Sequence, residues 1–166
     1  MGRPGKPYVF DTNGSITFGK YNDKKCGRFD YYNTIDNKSW KVMADVQIGR
    51  QTLKDQVVTF TPGKATKIPR QIYEEYFGHF NDKTDKDIPD IKMITKSNSY
   101  TITKEDFVYY FDTLKRYILH LDYNINKPDY DFAFGSDFLQ HYCISIRADN
   151  SFKQLQIGIA ENFALK

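Results

Sequence analysis

The stretch that most constrains the fold is residues 130–160, which read YDFAFGSDFLQHYCISIRADNSFKQLQIGIA. Gly135 ends an apolar run, and Ser136 and Asp137 favour the start of a short helix because their side chains suit its positive end. The pattern predicts a strand at residues 132–134, a helix at 137–141, a strand at 142–146, a turn at 148–151 and a strand at 155–160. Strand, glycine, one-turn helix, strand, turn and strand is an uncommon order of elements.

The rest of the chain also favours strands over helices. Residues 39–49 alternate, with Trp40, Val42, Ala44, Val46 and Ile48 on one face. Further strands are predicted at residues 52–60 and 100–103, with a helix at 70–80 that begins at Pro69. The 166 residues suffice for one domain with a core of its own. The fold class predicted is mainly β, with a few short helices.

Two segments carry further local predictions. Thr103 and Asp106 have the spacing of a capping box, which is typical of the start of a helix. Residues 107–121 fit a helical period and, in their second half, a strand period. We expect a short helix, a loop and a strand there, with one continuous helix as the alternative.

This order of elements resembles the C-terminal lobe of the pepsin-like aspartic proteases. The family ends with two apolar residues and a glycine, a short helix and a hairpin, which Ala133-Phe134-Gly135 and the residues after them match. Earlier matches are the strand at residues 14–19 and the strand around Trp40. The resemblance also implies a strand at residues 88–93, which begins with Ile88-Pro89-Asp90, and a one-turn helix at residues 104–107. The resemblance spans residues 14–160 with gaps. It implies a single pepsin-like lobe at residues 14–166, preceded by an arm and edge strand at residues 1–13.

The resemblance also implies that the catalytic aspartate is missing. Counted back from Pro69, the position of the family's aspartate falls on Phe60, followed by Thr61 and by Pro62 in place of glycine. No aspartate lies between Asp55 and Asp82. An aspartic protease needs two carboxylates that share a proton and activate one water. The sequence therefore predicts a lobe that is not an enzyme.

An alternative places catalysis at Asp11. The segment Asp11-Thr12-Asn13-Gly14-Ser15 looks like a catalytic Asp-Thr-Gly-Ser loop with one insertion, which would suit a peptidase active only as a homodimer. The Asn-Gly pair is also a strong hairpin-turn signal, and we favour that interpretation. A third possibility is that the chain needs a second lobe that lies upstream in a longer protein.

The expected role is binding or assembly. A single lobe leaves uncovered the face where its partner lobe would pack, and open strand edges invite pairing with another chain. We expect homodimerisation or binding of another protein, or of a peptide in the residual cleft. The candidate interface residues come from the two chain ends: Tyr8, Val9, Phe10, Gln156, Gly158 and Phe163.

Charge and composition exclude several other classes. The net charge is +3 from 24 basic and 21 acidic residues, without a basic block, so a nucleic-acid partner is not expected. No apolar segment approaches the length of a membrane span, and the first residues contain no signal-peptide pattern. The three histidines, His79, His120 and His141, lack metal-ligand spacing, so we expect structural or surface roles for them, and neither a metal nor a cofactor. Asp137 is expected to cap its helix.

Cysteine usage predicts the compartment. Two cysteines cannot build a disulfide framework. We expect Cys143 to be a buried thiol in a strand and Cys26 to lie in a turn. Unpaired cysteines favour a reducing environment and hence an intracellular, cytoplasmic protein.

Overall fold

The computed structural model describes residues 24–83, 87–126, 128–149, 151 and 153–163. The predicted arm at residues 1–13, the strand at 14–19, the interface candidates Tyr8, Val9 and Phe10, and Asp11 lie outside the described residues. The mainly β fold class is confirmed. The strands are β1 (Asp30–Asn33), β2 (Val42–Ile48), β3 (Gln51–Phe60), β4 (Thr66–Ile68), β5 (Ile91–Ile94), β6 (Ser99–Ile102), β7 (Val108–Phe111), β8 (Arg116–Leu119), β9 (Leu121–Tyr123), β10 (Phe132–Phe134), β11 (Tyr142–Ala148) and β12 (Leu155–Glu161). The helices are α1 (Arg70–Tyr76), α2 (Lys104–Phe107) and α3 (Ser136–Leu139).

A seven-stranded mixed sheet has the order β6-β5-β2-β3-β10-β4-β9. Two of its pairings are parallel, β3 with β10 and β4 with β9, and the others are antiparallel. β10 is apolar and buried along its whole length, as expected for a strand covered on both faces. Its register places Phe134 beside Phe60, so the end of β3 lies next to the end of β10.

The alternation predicted for residues 39–49 is confirmed in β2. Val42, Ala44, Val46 and Ile48 are all buried, whereas the prediction for Trp40 is wrong: it precedes the strand and is 41% exposed. A change of register between β2 and β3 after Ala44 interrupts the hairpin. The buried face of β2 joins one continuous core with residues of α1, β5, β10 and β12.

A three-stranded antiparallel sheet has the order β1-β12-β11. β12 is its central strand and pairs on both sides. The expectation that residues 156–163 form an open edge is therefore wrong for the strand itself. β11 is an edge strand within the part of the chain that is described. Ile157 and Ile159 of β12 point into the core.

The segment after β6 differs from one of the sequence predictions. The one-turn helix α2 is confirmed, with the Asp106 carboxylate accepting hydrogen bonds from the N–H (2.7 Å) and hydroxyl (3.0 Å) of Thr103. Residues 108–119 form the β7–β8 hairpin, so neither the expected short helix nor the alternative of one continuous helix is right. The expected loop and strand are confirmed as the turn at residues 112–115 and as β8. In the hairpin, aromatic side chains pack against each other across the two strands, as Tyr110 does with Tyr117.

The bounds of two helices differ from those predicted from the sequence. Pro69 precedes α1 as its N-terminal flanking residue rather than being its first turn, and α1 ends at Tyr76 rather than at residue 80. Gly135, not Ser136, is the N-cap residue of α3, and Ser136 is the first residue of the helix. No side-chain hydrogen bond caps this helix. None of the helices in the described ranges combines the length and apolar character needed to cross a membrane.

The prediction of two unpaired cysteines is wrong. Cys26 and Cys143 form a disulfide with their Cα atoms 5.9 Å apart. The bond joins the segment before β1 to β11, across 117 positions of sequence. Spacing in the sequence cannot show such a pair, because the two residues meet only through the three-stranded sheet. The argument for a reducing compartment loses its basis.

Candidate functional site: an apolar groove at the end of β3

Phe60, Thr61 and Pro62 lie where β3 leaves the large sheet. The N–H of Thr61 donates to the carbonyl of Phe134 at 2.8 Å, which extends the pairing of β3 with β10 by one residue. Pro62 is exposed and starts a turn that returns to β4. The position at which the family resemblance places an aspartate is thus at the tip of a central strand.

The side chain at that position is held by aromatic contacts. The ring of Phe60 lies 6.3 Å from that of Phe134 and 5.5 Å from that of Phe138, and Phe60 is half-buried. A benzyl side chain offers no acceptor for a proton and no oxygen to orient a water. Phe60 therefore contributes packing at this position and no acid–base chemistry.

In front of Phe60 lies an apolar groove with a volume of about 140 Å³. It is lined by Trp40, Phe60, Pro62, Ile144, Ile146 and Ile157. Trp40 and Ile146 are 41% and 53% exposed, whereas Ile157 at the floor is 1% exposed. None of the six lining side chains carries a carboxylate. The groove joins the end of β3 to β11 and β12, and its lining suits the burial of apolar side chains.

The loop between β3 and β4 packs against Gly135 and is hydrogen-bonded to the start of α3. The N–H of Gly135 donates to Thr66 Oγ1 at 3.0 Å, and the N–H of Ser136 donates to the carbonyl of Lys64 at 2.8 Å. A Cβ atom on Gly135 would lie 2.0 Å from the Lys64 carbonyl oxygen. Only glycine permits this approach, so the close packing of the loop on the β10–α3 junction depends on Gly135.

The predicted capping role of Asp137 is wrong: no side-chain hydrogen bond caps α3, and the carboxyl group of Asp137 turns to other elements instead. Its carboxyl is fully buried, accepts the N–H of Thr66 at 3.1 Å and contacts His120 Nδ1 at 2.9 Å. The hydrogen bond to Asp137 raises the pKa of His120, against the opposing effect of burial. Asp137 thus links α3 to β4 and to the residue before β9. The long separation between these residues in sequence hides this link.

A second imidazole–carboxylate pair lies at α2. His141 Nε2 is 2.6 Å from Asp106 Oδ1, while Asp106 also completes the capping of its own helix. The hydroxyl of Tyr109 donates to the main-chain carbonyl of Asp106. His120 and His141 thus have structural contacts, and His79 is exposed. In the described part of the chain, no group of three or more His, Cys, Asp or Glu side chains is placed to hold a metal ion.

The outer face of the three-stranded sheet is covered by Tyr31. Its ring lies over Gly158, where an added Cβ would be 2.6 Å from the ring, and over the Arg147 guanidinium, which is 3.3 Å from the ring centre. Its hydroxyl is 3.3 Å from Ser145 Oγ. Tyr31 thus spans all three strands, and the candidate interface residue Gly158 is buried beneath it.

The two other described interface candidates differ in environment. Gln156 Nε2 donates to Asn33 Oδ1, and Gln156 Oε1 accepts from Arg147 Nε, both at 3.0 Å. Phe163 is 44% exposed, and its N–H donates to the carbonyl of Lys25 at 2.7 Å. Of these candidates, Phe163 presents apolar surface, whereas Gln156 is engaged within the sheet. The groove was missed from the sequence because its six lining residues come from four separate segments.

A comparison of the chain with models of known protein families and with curated protein sequences found no match.

Proposed function

We propose that this chain is a non-catalytic, pepsin-like lobe that associates with a second copy of itself through the groove in front of Phe60. The observation that carries the proposal is the exposed apolar lining of the groove, with Trp40 and Ile146 at its rim. An active lobe would need a carboxylate at the end of β3. Here an aromatic ring takes that place, and the surrounding surface is suited to binding.

The pepsin-like assignment is supported by the order and contacts of the elements. β3 ends beside β10, the turn at residues 61–65 passes over Gly135, and a short helix follows Pro69. The short helix α3 and the β11–β12 hairpin then follow β10, in the order that the C-terminal lobe of the resembling family has. In the resembling family, the face beside this strand end is where two lobes meet.

Strand β11 supports association of the strand-pairing kind. It is an edge strand in the described part of the three-stranded sheet, and Ile144 and Ile146 from it line the groove. An extended segment alongside β11 can satisfy the main-chain groups of the edge while its side chains enter the groove. When the added segment is the β11 of a second copy, the contact is self-complementary and closes as a two-fold dimer.

The experiment is the solution mass of the protein, measured by light scattering over a concentration series. We expect a dimer for the natural chain, and at least roughly 30-fold weaker association for Ile146→Lys, because a lysine at the centre of an apolar contact is buried without a partner. Ile118→Lys is the matched control. Ile118 is 38% exposed on the β7–β8 hairpin, away from the groove, so that variant should remain dimeric.

Three outcomes would contradict the proposal in different ways. A natural chain that is monomeric at all concentrations excludes the second copy as the partner. A dimer that Ile118→Lys splits and Ile146→Lys does not moves the contact to the hairpin. Peptidase activity at acid pH that is lost in Asp11→Asn would favour the homodimeric enzyme over a non-catalytic lobe.

A further inference from the structure

The turn between β1 and β2 contains the triplet Asn37-Lys38-Ser39. Asparagine, any residue except proline, and serine or threonine form the acceptor pattern for asparagine-linked glycans. A second triplet of this kind, Asn13-Gly14-Ser15, lies outside the described residues. The pattern alone is common, so its environment in the fold decides whether it can carry a sugar.

Asn37 lies in an exposed turn that its neighbours hold in shape. Asp36 Oδ1 accepts hydrogen bonds from the N–H of Lys38 (2.8 Å), the N–H of Ser39 (2.7 Å) and the hydroxyl of Ser39 (2.8 Å). The conformation of this turn therefore comes from Asp36 and does not require an unmodified Asn37. A surface turn of this kind leaves room for a bulky, hydrated group.

The Asn37 amide connects the turn to the start of β12. Nδ2 donates to the carbonyl of Lys153 at 2.6 Å, and Oδ1 accepts the N–H of Leu155 at 3.2 Å. The amide nitrogen has two hydrogens, and the contact with Lys153 uses one of them. A glycosylated asparagine retains its oxygen, which can still accept the N–H of Leu155 at the start of β12.

The Cys26–Cys143 disulfide indicates, independently of the glycosylation pattern, that the chain passes through an oxidising compartment. Disulfides form and persist in oxidising compartments, among them the lumen in which eukaryotic cells attach asparagine-linked glycans. Cys26 lies at the entrance to β1, and Cys143 lies in β11, so the bond forms between parts of the same sheet that Asn37 contacts at its other end. One chain thus has both features expected after passage through such a compartment.

We propose that Asn37 is the acceptor of an asparagine-linked oligosaccharide in a chain that matures in an oxidising secretory compartment. In the transfer, Asn37 Nδ2 bonds to the anomeric carbon of the first sugar and loses one proton. The bond between that carbon and a diphosphate oxygen of a lipid-linked oligosaccharide donor breaks, and the lipid diphosphate leaves. The disulfide forms as the two thiols lose two electrons and two protons to a protein disulfide, which is reduced to a dithiol. This inference is independent of the proposed self-association.

The test begins with the natural protein, isolated from its source under non-reducing conditions and mapped by peptide mass spectrometry. We expect the peptide containing Asn37 to carry a glycan, and peptide-N-glycosidase in heavy-oxygen water to convert Asn37 to a labelled aspartate. In the same map we expect Cys26 and Cys143 in one cross-linked peptide. An unmodified Asn37 peptide overturns the proposed site, and free thiols at both cysteines overturn the compartment.

Variants of the chain, secreted from eukaryotic cells behind an added signal peptide, separate the acceptor pattern from the fold. All of them carry Asn13→Gln, so that any glycan reports on Asn37. Ser39→Ala should lose the glycan, whereas Ser39→Thr should keep it, because threonine preserves both the acceptor pattern and a hydroxyl that can bond Asp36. A glycan that persists in Ser39→Ala contradicts the assignment. Loss of the glycan from both variants also contradicts it, since the pattern is intact in Ser39→Thr.

Discussion

Among the glycines that the structure describes, Gly135 has the least room for a side chain. An added Cβ would lie 2.0 Å from the carbonyl oxygen of Lys64 and 2.7 Å from the carbonyl carbon of Ala65, both main-chain atoms. Because neither can rotate away, Gly135→Ala must displace the loop at residues 61–65 or the end of β10. We expect a loss of more than ~3 kcal/mol in the free energy of unfolding, or a chain that does not fold.

Gly63→Ala is the matched control for this prediction. Gly63 has a positive φ of 74°, but open space surrounds the position of its Cβ. Its substitution should therefore cost only the conformational strain of about 1–2 kcal/mol. Urea unfolding followed by circular dichroism measures both, with soluble yield and protease resistance as the measure if Gly135→Ala does not fold. Equal losses in the two variants would show that the close approach at Gly135 is relieved at little cost.

The residues of the site were predictable to different degrees. Phe60 was predicted to replace a carboxylate by counting along the chain, and the structure places it at the end of β3, within an apolar groove. Asp137 was predicted only as a helix cap, because its contacts with Thr66 and His120 depend on strands that are far apart in sequence. Local patterns predict local contacts, whereas pairs brought together by topology leave no periodic signal.

At the scale of elements, the disulfide is the strongest link between the start of β1 and β11. It closes a loop of 117 positions, for which the chain-entropy account gives a stabilisation of about 4–5 kcal/mol. We expect reductant to lower the free energy of unfolding of the natural chain by about 2–5 kcal/mol. Chemical unfolding with and without dithiothreitol measures this change.

The variant Cys26→Ser/Cys143→Ser is the control for the effect of the reductant itself. It should unfold with the stability of the reduced natural chain and should not respond to dithiothreitol. If reductant leaves the natural chain as stable as before, the two cysteines are not bonded in solution. The same result would remove the support that the disulfide gives to glycosylation at Asn37.

Most elements were predicted where one period dominated the sequence. The alternation of β2 and the apolar run of β10 gave strands close to their observed bounds. Residues 107–121 fit a helical period and, in their second half, a strand period, so periodicity alone could not predict the β7–β8 hairpin. Aromatic pairs across the two strands, such as Tyr110 with Tyr117, stabilise the hairpin. The central place of β12 was not predictable, because it depends on β1 pairing with a strand more than 120 residues further along the chain, as the Asp30–Ile159 register shows.

At the scale of the whole molecule, one continuous core makes unfolding cooperative, so a local proton equilibrium affects global stability. The hydrogen bond from Asp137 raises the pKa of His120 above its unfolded value of about 6.5. The folded state therefore holds the imidazolium proton more tightly than the unfolded state. The resulting stabilisation is complete below about pH 6.5 and is lost as the pH rises through the folded pKa.

The measurement is the free energy of unfolding from about pH 5 to about pH 9, for the natural chain and for His120→Gln. We expect the variant to be less stable at low pH, and the difference to shrink as the pH rises. Asp137→Asn, which removes the charge but keeps an amide oxygen for Thr66, completes a double-mutant cycle. In that background, His120→Gln should lose its pH-dependent effect, because the neutral side chain no longer favours the imidazolium. A coupling between the two positions that is constant with pH would show that the contact is a neutral hydrogen bond in the folded protein, without the charge that raises the pKa.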